Sequence, residues 1–261
     1  MSDSIAPLLY GREGVVAHIR FNRPTVLNAI DSTMAAAFLR ACRAIAADPE
    51  IRVVVISGEG RAFMAGGDIA QFREDAAKIP TTLIDPMHEA LAILTTLNAP
   101  VIASLQGAVA GAGMSLALAC DLAIAAEDTR FNLAYMNLGT TCDLGASWNL
   151  PRVIGLRRAL EVALLSEPID AMEALRLGLV NKVVPVASLA DETRKLAARL
   201  ASGAPFAQGM LKRLFRESFS HGFDAQLAAE RDAFTACSAT TDFAEGVSAF
   251  LERRRARYTG N

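Results

Sequence analysis

Strand-like and helix-like segments alternate along the chain up to residue 186, and this alternation limits the possible folds more than any other feature. Apolar runs typical of buried strands are RVVVISG at 52–58, APVIASLQG at 99–107 and DLAIAAE at 121–127, with helical spacing between them. From residue 188 onward nearly all of the sequence has helical spacing, including the basic end LERRRARY. Because alternating strands and helices build a layered domain, the sequence predicts an α/β core over residues 1–187 and a helical segment over residues 188–261.

The composition excludes several classes of protein. Hydrophobic residues make up 52% of the 261 residues, which is enough for a large core, and the net charge is −2. A nucleic-acid-binding protein normally presents a basic face, so we expect no nucleic-acid partner. The most apolar stretch, VIASLQGAVAGAGMSLALAC at 101–120, contains Gln106 and several glycines, so we also expect no membrane span.

The cysteines indicate a reducing compartment. Cys42, Cys120, Cys142 and Cys237 are far apart, and the sequence has no C-x-x-C pair. Disulfide frameworks and zinc sites use closely spaced cysteines, so we expect no disulfide and no bound metal. The first stretch, MSDSIAPLLYGREG, has neither a basic flank nor a long apolar run, which argues against a signal peptide. Together these features predict a cytoplasmic protein.

Two glycine-rich turns are candidates for a binding site. They span residues 64–68 (MAGGD) and 110–114 (AGAGM), and each follows a strand and precedes a helix. The peptide N–H groups at the start of a helix are free to donate, and the helix dipole favours negative charge there. Two such turns that converge would offer a pair of donors to an oxyanion. The alternative is that the glycines only allow tight turns and close packing.

A single carboxylate lies in an otherwise uncharged stretch. The window NLGTTCDLGASWNL, residues 137–150, contains Asp143 and no other charged residue. A surface loop usually carries several charges, and a core usually carries none because burial of an unpaired carboxylate is costly. Asp143 is therefore a candidate for a working acid or base.

The motifs, taken together and in order, resemble those of the enoyl-CoA hydratase/isomerase (crotonase) superfamily. The resemblance covers essentially the whole chain. It lies in NRPTVLNAI at 22–30, GEGRAFMAGGDIAQF at 58–72, APVIASLQGAVAGAGMSLALACDLAIAAE at 99–127, LPRVIGLRRALEVAL at 150–164, EALRLGLVNKVVP at 173–185 and EGVSAFLERR at 245–254.

This resemblance implies a fold, a substrate and an assembly. The fold would be a crotonase-like spiral of strand-strand-helix turns over residues 1–187, and residues 188–261 would build a homotrimer or a dimer of trimers. The substrate would be an acyl-CoA thioester, and coenzyme A would enter as part of it, with no permanently bound cofactor. The N–H groups of Gly67 and Ala112 would hold the thioester oxygen and stabilise an enolate. The segments expected along coenzyme A contain Arg23, Leu27, Ala65, Gly66, Asp68 and Ile69.

The resemblance also indicates which reaction to expect. Hydratases of the superfamily use two glutamates, and their positions are occupied here by Ser115 and Tyr135. Hydration with neither carboxylate is difficult, because two groups must position, deprotonate and reprotonate a water. Dienoyl-CoA isomerases and the ring-isomerising enzymes of phenylacetate breakdown carry an acid at the position of Asp143, and DLGASWNLPR at 143–152 is similar to their motif. A double-bond shift needs only one base, so isomerisation is favoured and Asp143 is its expected proton shuttle.

Other interpretations remain open at this stage. The halobenzoyl-CoA dehalogenases of the superfamily resemble the same region, with a nucleophilic aspartate at Asp143, a histidine at His88 and a tryptophan where Tyr135 stands. A hydratase could use another carboxylate from the segment 70–90, which contains Glu74, Asp75 and Glu89, although a solvated face is the more usual role of such residues. A non-catalytic member that only binds acyl-CoA is a further alternative. Asp143 could also act as the N-cap of a following helix.

Overall fold

The computed structural model describes residues 6–260, and in that part of the chain the strands form two sheets. The larger sheet has the strand order β1-β2-β3-β4-β6-β9, and the smaller has the order β5-β7-β8. The strands are β1 (Leu8–Glu13), β2 (Val16–Phe21), β3 (Val53–Gly58), β4 (Val101–Leu105), β5 (Ala108–Ala110), β6 (Leu122–Ala126), β7 (Arg130–Asn132), β8 (Ile169–Asp170) and β9 (Lys182–Val184). From β2 to β9 the larger sheet is parallel, and β1 joins it antiparallel to β2.

Helices lie between the strands and follow the last of them. They are α1 (Ser32–Ala46), α2 (Ile69–Glu74), α3 (Asp85–Thr96), α4 (Ala112–Ala119), α5 (Ala146–Ile154), α6 (Leu156–Leu165), α7 (Ala171–Leu177), α8 (Leu189–Ala201), α9 (Pro205–Glu217), α10 (Phe223–Ser238) and α11 (Thr241–Leu251). Short 3-10 and π turns, including Tyr135–Leu138, occupy parts of the loops. The prediction of an α/β core followed by helices is therefore confirmed.

Apolar packing on both faces of the larger sheet explains its continuous hydrophobic strands. On one face the core contains Phe21 of β2 and Phe38 of α1, whose ring centroids lie 5.7 Å apart. On the other face Val53 and Ile102 pack with Ala197 of α8. Helix α8, the first of the predicted C-terminal segment, thus covers the sheet directly.

The smaller sheet brings the second glycine turn next to the loop after β7. Strands β5 and β7 pair in parallel, with Ala110 opposite Asn132. Helix α4 begins two residues after Ala110, and the 3-10 turn that starts with Tyr135 follows Asn132 closely. The segment β4-β5-α4 forms one strand-strand-helix turn of a spiral. Strands β6 and β7, together with the helices that follow them, form another. This arrangement places Ser115 of α4 close to Tyr135.

One local prediction from the sequence is wrong. The basic end LERRRARY is not helical, because α11 ends at Leu251 and Arg253 has a left-handed φ of 55°. Arg254 instead forms ion pairs with Glu245 and Glu252.

Two kinds of feature are absent from the part of the chain that the structure describes. Between residues 6 and 260, no helix combines the length and the apolar character that crossing a bilayer requires. In the same range no group of three or more histidine, cysteine, aspartate or glutamate side chains is arranged to hold a metal ion.

Candidate active site

The two glycine turns lie against each other. Met64 and Val109 form a parallel bridge, in which Ala110 N–H donates to the Met64 carbonyl oxygen at 2.9 Å. A Cβ atom on Gly66 would lie 3.5 Å from the carbonyl oxygen of Ala110, and one on Gly113 would lie 2.3 Å from that of Met64. Because real Cβ atoms do not approach a carbonyl oxygen to 2.3 Å, only glycine at position 113 allows this contact.

The turns leave two backbone donors free. Ala112 is the first residue of α4, so its N–H has no partner within the helix. In the range 6–260, neither this N–H nor that of Gly67 donates to a protein acceptor. The ring of Phe72 lies over Gly67, with Cζ 2.2 Å from where a Cβ would stand. Two free N–H groups on adjoining turns can bind a carbonyl oxygen that gains negative charge.

A chain of hydrogen bonds joins Asp143 to the second turn. The Tyr135 hydroxyl donates a short hydrogen bond to Asp143 Oδ1. The Ser115 and Tyr135 hydroxyl oxygens are 2.9 Å apart, and Ser115 Oγ lies 3.2 Å from the carbonyl oxygen of Gly111. Sequence reasoning named these three side chains separately, but it did not predict that they contact one another, because no local pattern reports a contact across 20 residues.

Burial and hydrogen bonding act in opposite directions on the Asp143 carboxyl group. Burial raises the pKa of Asp143 and the hydrogen bond from Tyr135 lowers it, so that the pKa remains above its ordinary value. The pKa of Tyr135 is also raised, by burial and by the neighbouring Asp143 charge. Tyr135 therefore stays protonated and acts as a donor, while Asp143 is a more basic carboxylate than an exposed one.

His88 contacts the backbone beside Asp143. The N–H of Leu144 donates to His88 Nε2 at 3.2 Å. His88 thus helps to hold the loop that carries Asp143, and its Nε2 lone pair is occupied.

Asp143 is not a helix cap, and this alternative from the sequence is wrong. Helix α5 has Gly145 at its N-cap, and no side chain caps it. Leu144 and Gly145 both adopt left-handed backbone conformations, with φ of 50° and 74°. These two residues separate Asp143 from the helix start. Only the main-chain carbonyl of Asp143 bonds to the helix, at 3.1 Å from Ala146 N.

The segments expected along coenzyme A run side by side. The N–H of Ala65 donates to the Leu27 carbonyl oxygen at 3.0 Å, and Ile69 at the start of α2 is half exposed. Arg23 lies next to them, but its guanidinium is bound to the Asp68 carboxylate at 2.9 Å. Which of these residues contact coenzyme A stays a prediction.

The other acidic residues considered from the sequence lie on the protein surface. Asp75 pairs with Lys78 at 2.5 Å, and Glu89 pairs with Arg43 at 2.6 Å. Glu74 is exposed. The interpretation of these residues as a solvated face agrees with the structure.

Comparison with known proteins identifies the family. The profile of the enoyl-CoA hydratase/isomerase family matches residues 11–261. A "probable enoyl-CoA hydratase" of Rhodobacter capsulatus is 37% identical over 94% of this chain and 95% of its own. The "1,2-epoxyphenylacetyl-CoA isomerase" of Escherichia coli is 35% identical over 97% and 98%. The crystal structure of an enoyl-CoA hydratase from Polaromonas sp. superposes with a TM-score of 0.91 at 36% identity, over 96% of this chain and 99% of that one.

The spiral of strand-strand-helix turns is the crotonase fold. The chain belongs to the enoyl-CoA hydratase/isomerase family and is an acyl-CoA enzyme of that family. Its identity to the relative named as a hydratase and to the one named as an isomerase differs by only two percentage points (37% against 35%). Overall similarity therefore does not distinguish the two reactions.

Proposed function

We propose that the protein shifts a carbon–carbon double bond in an unsaturated acyl-CoA thioester, with Asp143 as the single proton shuttle. The observation that carries this proposal is the hydrogen-bonded chain from Ser115 through Tyr135 to Asp143. At both positions where the resemblance places hydratase glutamates stands a neutral hydroxyl group. Both hydroxyls are engaged in a chain that ends at one partly buried carboxylate.

The reaction needs only groups of this kind. The N–H groups of Gly67 and Ala112 hold the thioester oxygen and stabilise the charge that develops on it. Asp143 removes a proton from C2 of a 3-enoyl thioester, which gives a dienolate, and the same proton returns at C4 while the double bond moves to C2–C3. No water or second base takes part, so protons and electrons balance within the substrate and one carboxylate.

The arrangement of Asp143 suits a shuttle that both takes and returns a proton. Tyr135 occupies Oδ1, and among residues 6–260 no other residue donates to Oδ2, which leaves that oxygen for the substrate. The raised pKa of Asp143 makes its carboxylate a better base and its protonated form a longer-lived carrier.

Hydration is the main alternative, because a similar protein is named as a hydratase. It requires groups that position, deprotonate and reprotonate a water. Ser115 and Tyr135 are poor substitutes for carboxylates at neutral pH, and the pKa of Tyr135 is raised further. Dehalogenation is not favoured, because His88 Nε2 already accepts a backbone N–H and is not free to activate water. A protein that only binds acyl-CoA would not catalyse proton exchange at the α-carbon.

The direct test is a screen of CoA thioesters with the purified protein. Candidates are 3-enoyl, 2-enoyl, halobenzoyl and ring-epoxidised phenylacetyl thioesters, and solvent deuterium reports exchange at the α-carbon. Conversion of a 3-enoyl or ring-unsaturated thioester supports the proposal. A protein that binds these thioesters without any exchange or conversion would contradict it.

Removal of the Tyr135 hydroxyl should shift the pH dependence of the reaction. The hydrogen bond from Tyr135 lowers the pKa of Asp143, so in Tyr135→Phe that pKa rises further above its ordinary value. The active form of the base is the carboxylate, and the acidic limb of the kcat/KM profile should therefore move to higher pH. Kinetics between pH 5 and 9 measure this shift.

The matched control for this variant is Tyr10→Phe, which removes a hydroxyl from the exposed strand β1. Its profile should coincide with that of the unaltered protein. An acidic limb that does not move in Tyr135→Phe would mean that Tyr135 does not act on the catalytic base.

The protein should assemble through its C-terminal helices into a homotrimer or a dimer of trimers. Large apolar side chains of these helices stand in solvent in the single chain: Phe250 is 83% exposed and Phe223 is 78% exposed. Beside Phe250, an apolar cavity of about 370 Å³ opens between α9 and α11. Sedimentation at micromolar concentration should give three or six times the chain mass of 27.7 kDa. A species of 27.7 kDa would contradict this expectation.

A further inference from the structure

Arg23 is held between two carboxylates and a carbonyl oxygen. Its Nη2 lies 2.9 Å from Asp68 Oδ2 and 3.2 Å from Asp31 Oδ2, and its Nη1 donates to the Ala29 carbonyl oxygen at 2.5 Å. The side chains of Arg23, Asp31 and Asp68 are only 19–23% exposed to solvent. Partly buried contacts of this kind are screened less by solvent than surface ion pairs.

Each of the two carboxylates also caps a helix. Asp31 Oδ1 accepts the N–H of Met34 at 2.8 Å, at the start of α1. Asp68 Oδ1 accepts the N–H of Ala70 at 3.1 Å, at the start of α2. One oxygen of each carboxylate therefore faces its helix and the other faces Arg23, so that Arg23 ties the first turns of α1 and α2 together.

The backbone of Gly67 lies between the two helix starts that Arg23 connects. Ile30 N–H donates to the Gly66 carbonyl oxygen at 2.8 Å, and Asp68 N–H donates to the Ile30 carbonyl oxygen at 2.9 Å. The peptide bond between Gly66 and Gly67 is trans, so its C=O and its N–H point to opposite sides. Because the Gly66 carbonyl oxygen faces Ile30, the N–H of Gly67 faces away from it. The orientation of this donor thus depends on the link between residues 30 and 66–68.

The segment that provides this link is strained and needs anchors. Leu27 and Asn28 have left-handed φ values of 53° and 57°, which are costly for residues other than glycine. The buried Asn28 side chain accepts the Arg23 N–H at 2.8 Å and donates to the Ala62 carbonyl oxygen at 2.8 Å. Arg23 is therefore connected through both its main chain and its side chain to the frame that fixes Gly67.

We propose that Arg23 is a positioning residue that fixes the direction of the Gly67 N–H by clamping Asp31 and Asp68, and that it is not a phosphate ligand of coenzyme A. The inference rests on the proposed role of Gly67 as a donor to the thioester oxygen. A phosphate would have to compete with two carboxylates that already surround the guanidinium and outnumber its charge.

The test uses acetoacetyl-CoA, whose enolate absorbs in the near ultraviolet and carries its charge on an oxygen of the kind that the turns would hold. Donors to this oxygen lower the pH at which the bound ligand ionises. We compare the unaltered protein with Arg23→Lys and Arg23→Gln. Lysine keeps the charge but cannot reach both carboxylates and the carbonyl in one plane. The matched controls are Arg12→Lys and Arg12→Gln, since Arg12 binds two carboxylates and one carbonyl oxygen at the surface.

In the unaltered protein and the Arg12 variants, bound acetoacetyl-CoA should ionise well below the pH at which it ionises in solution. In Arg23→Lys the enolate should be at least about tenfold less favoured, because a misdirected donor forfeits much of its effect. Affinity for free coenzyme A should change less than twofold. If Arg23→Gln does not fold, as judged by circular dichroism, Arg23→Lys decides the question.

Two results would overturn the proposal in different ways. If the unaltered protein promotes ionisation and Arg23→Lys does so equally, or loses affinity for free coenzyme A to the same extent as for acetoacetyl-CoA, Arg23 is not a positioning residue for Gly67. If the unaltered protein itself does not promote ionisation, Gly67 and Ala112 do not stabilise an oxyanion, and the positioning role proposed for Arg23 is excluded as well.

Discussion

Asp143→Asn should lower the rate of the double-bond shift at least about a hundredfold, the low end for removal of a general base. Asparagine has nearly the same shape and can still accept the Tyr135 hydrogen bond at its side-chain oxygen, but it cannot accept a proton from the substrate. Binding of the thioester should be nearly unchanged, because the proposed donors are backbone N–H groups of Gly67 and Ala112. Kinetics on a 3-enoyl or ring-unsaturated thioester, together with calorimetric titration of its affinity, measure both quantities.

The same variant should not lose stability at neutral pH. Because burial raises the pKa of Asp143 in the folded protein, this group favours folding at low pH, and that contribution is lost as the pH rises through the folded-state pKa. Above that pKa the ionised, partly buried carboxylate opposes folding, and an amide removes this cost. The melting temperature of Asp143→Asn at pH 7 should therefore equal or exceed that of the unaltered protein.

A surface replacement, Asp128→Asn, is the control, since Asp128 is exposed and its side chain makes one long hydrogen bond within residues 6–260, 3.5 Å from Gly107 N. It should leave activity unchanged. Wild-type rates on every thioester in Asp143→Asn, accompanied by a sharp drop in melting temperature, would show that Asp143 is structural and would remove the proposed base.

Hydration of crotonyl-CoA should be at least about a hundredfold slower than isomerisation of the matching 3-enoyl thioester. The reason is chemical: Ser115 and Tyr135 stand where carboxylates would activate and deliver a water. Loss of the 2-enoyl absorbance measures hydration, and its appearance from a 3-enoyl thioester measures isomerisation, so one preparation gives both rates. Detectable isomerisation in that preparation shows that the protein is active.

Rapid hydration would contradict the proposed reaction. Turnover of crotonyl-CoA at a typical enzyme rate, about 1 to 1,000 per second, would show that this site hydrates without the expected glutamate pair. Asp143→Asn would then be assayed for hydration as well, because Asp143 would be the first carboxylate to suspect.

Much of the architecture could be predicted from local sequence patterns. The apolar run RVVVISG at 52–58 contains the buried strand β3, as its composition predicts. Glycine spacing likewise predicted the two turns. These features follow from the conformational preferences of residues that lie within a few positions of one another in the sequence.

The loop around Asp143 shows where local patterns mislead. A carboxylate before LGASW is an ordinary N-cap signal, but the left-handed backbone of Leu144 and Gly145 moves the helix start to Ala146. A left-handed leucine is uncommon and has no sequence signature. The left-handed conformation of Leu144 is held by the burial of its side chain and by the hydrogen bond from its N–H to His88, a residue 56 positions away.

By itself the sequence determined the α/β class, the two glycine turns and the presence of one carboxylate in an uncharged stretch, because each is a property of contiguous residues. Only the tertiary structure decided what these parts contact: Tyr135 binds Asp143 and Ser115, and Arg23 binds Asp68 across 45 residues rather than standing free for a ligand. A hydrogen bond requires its two atoms to approach within about 3 Å. That approach is set by the packing of strands and helices distant in the chain, which no short window of sequence contains.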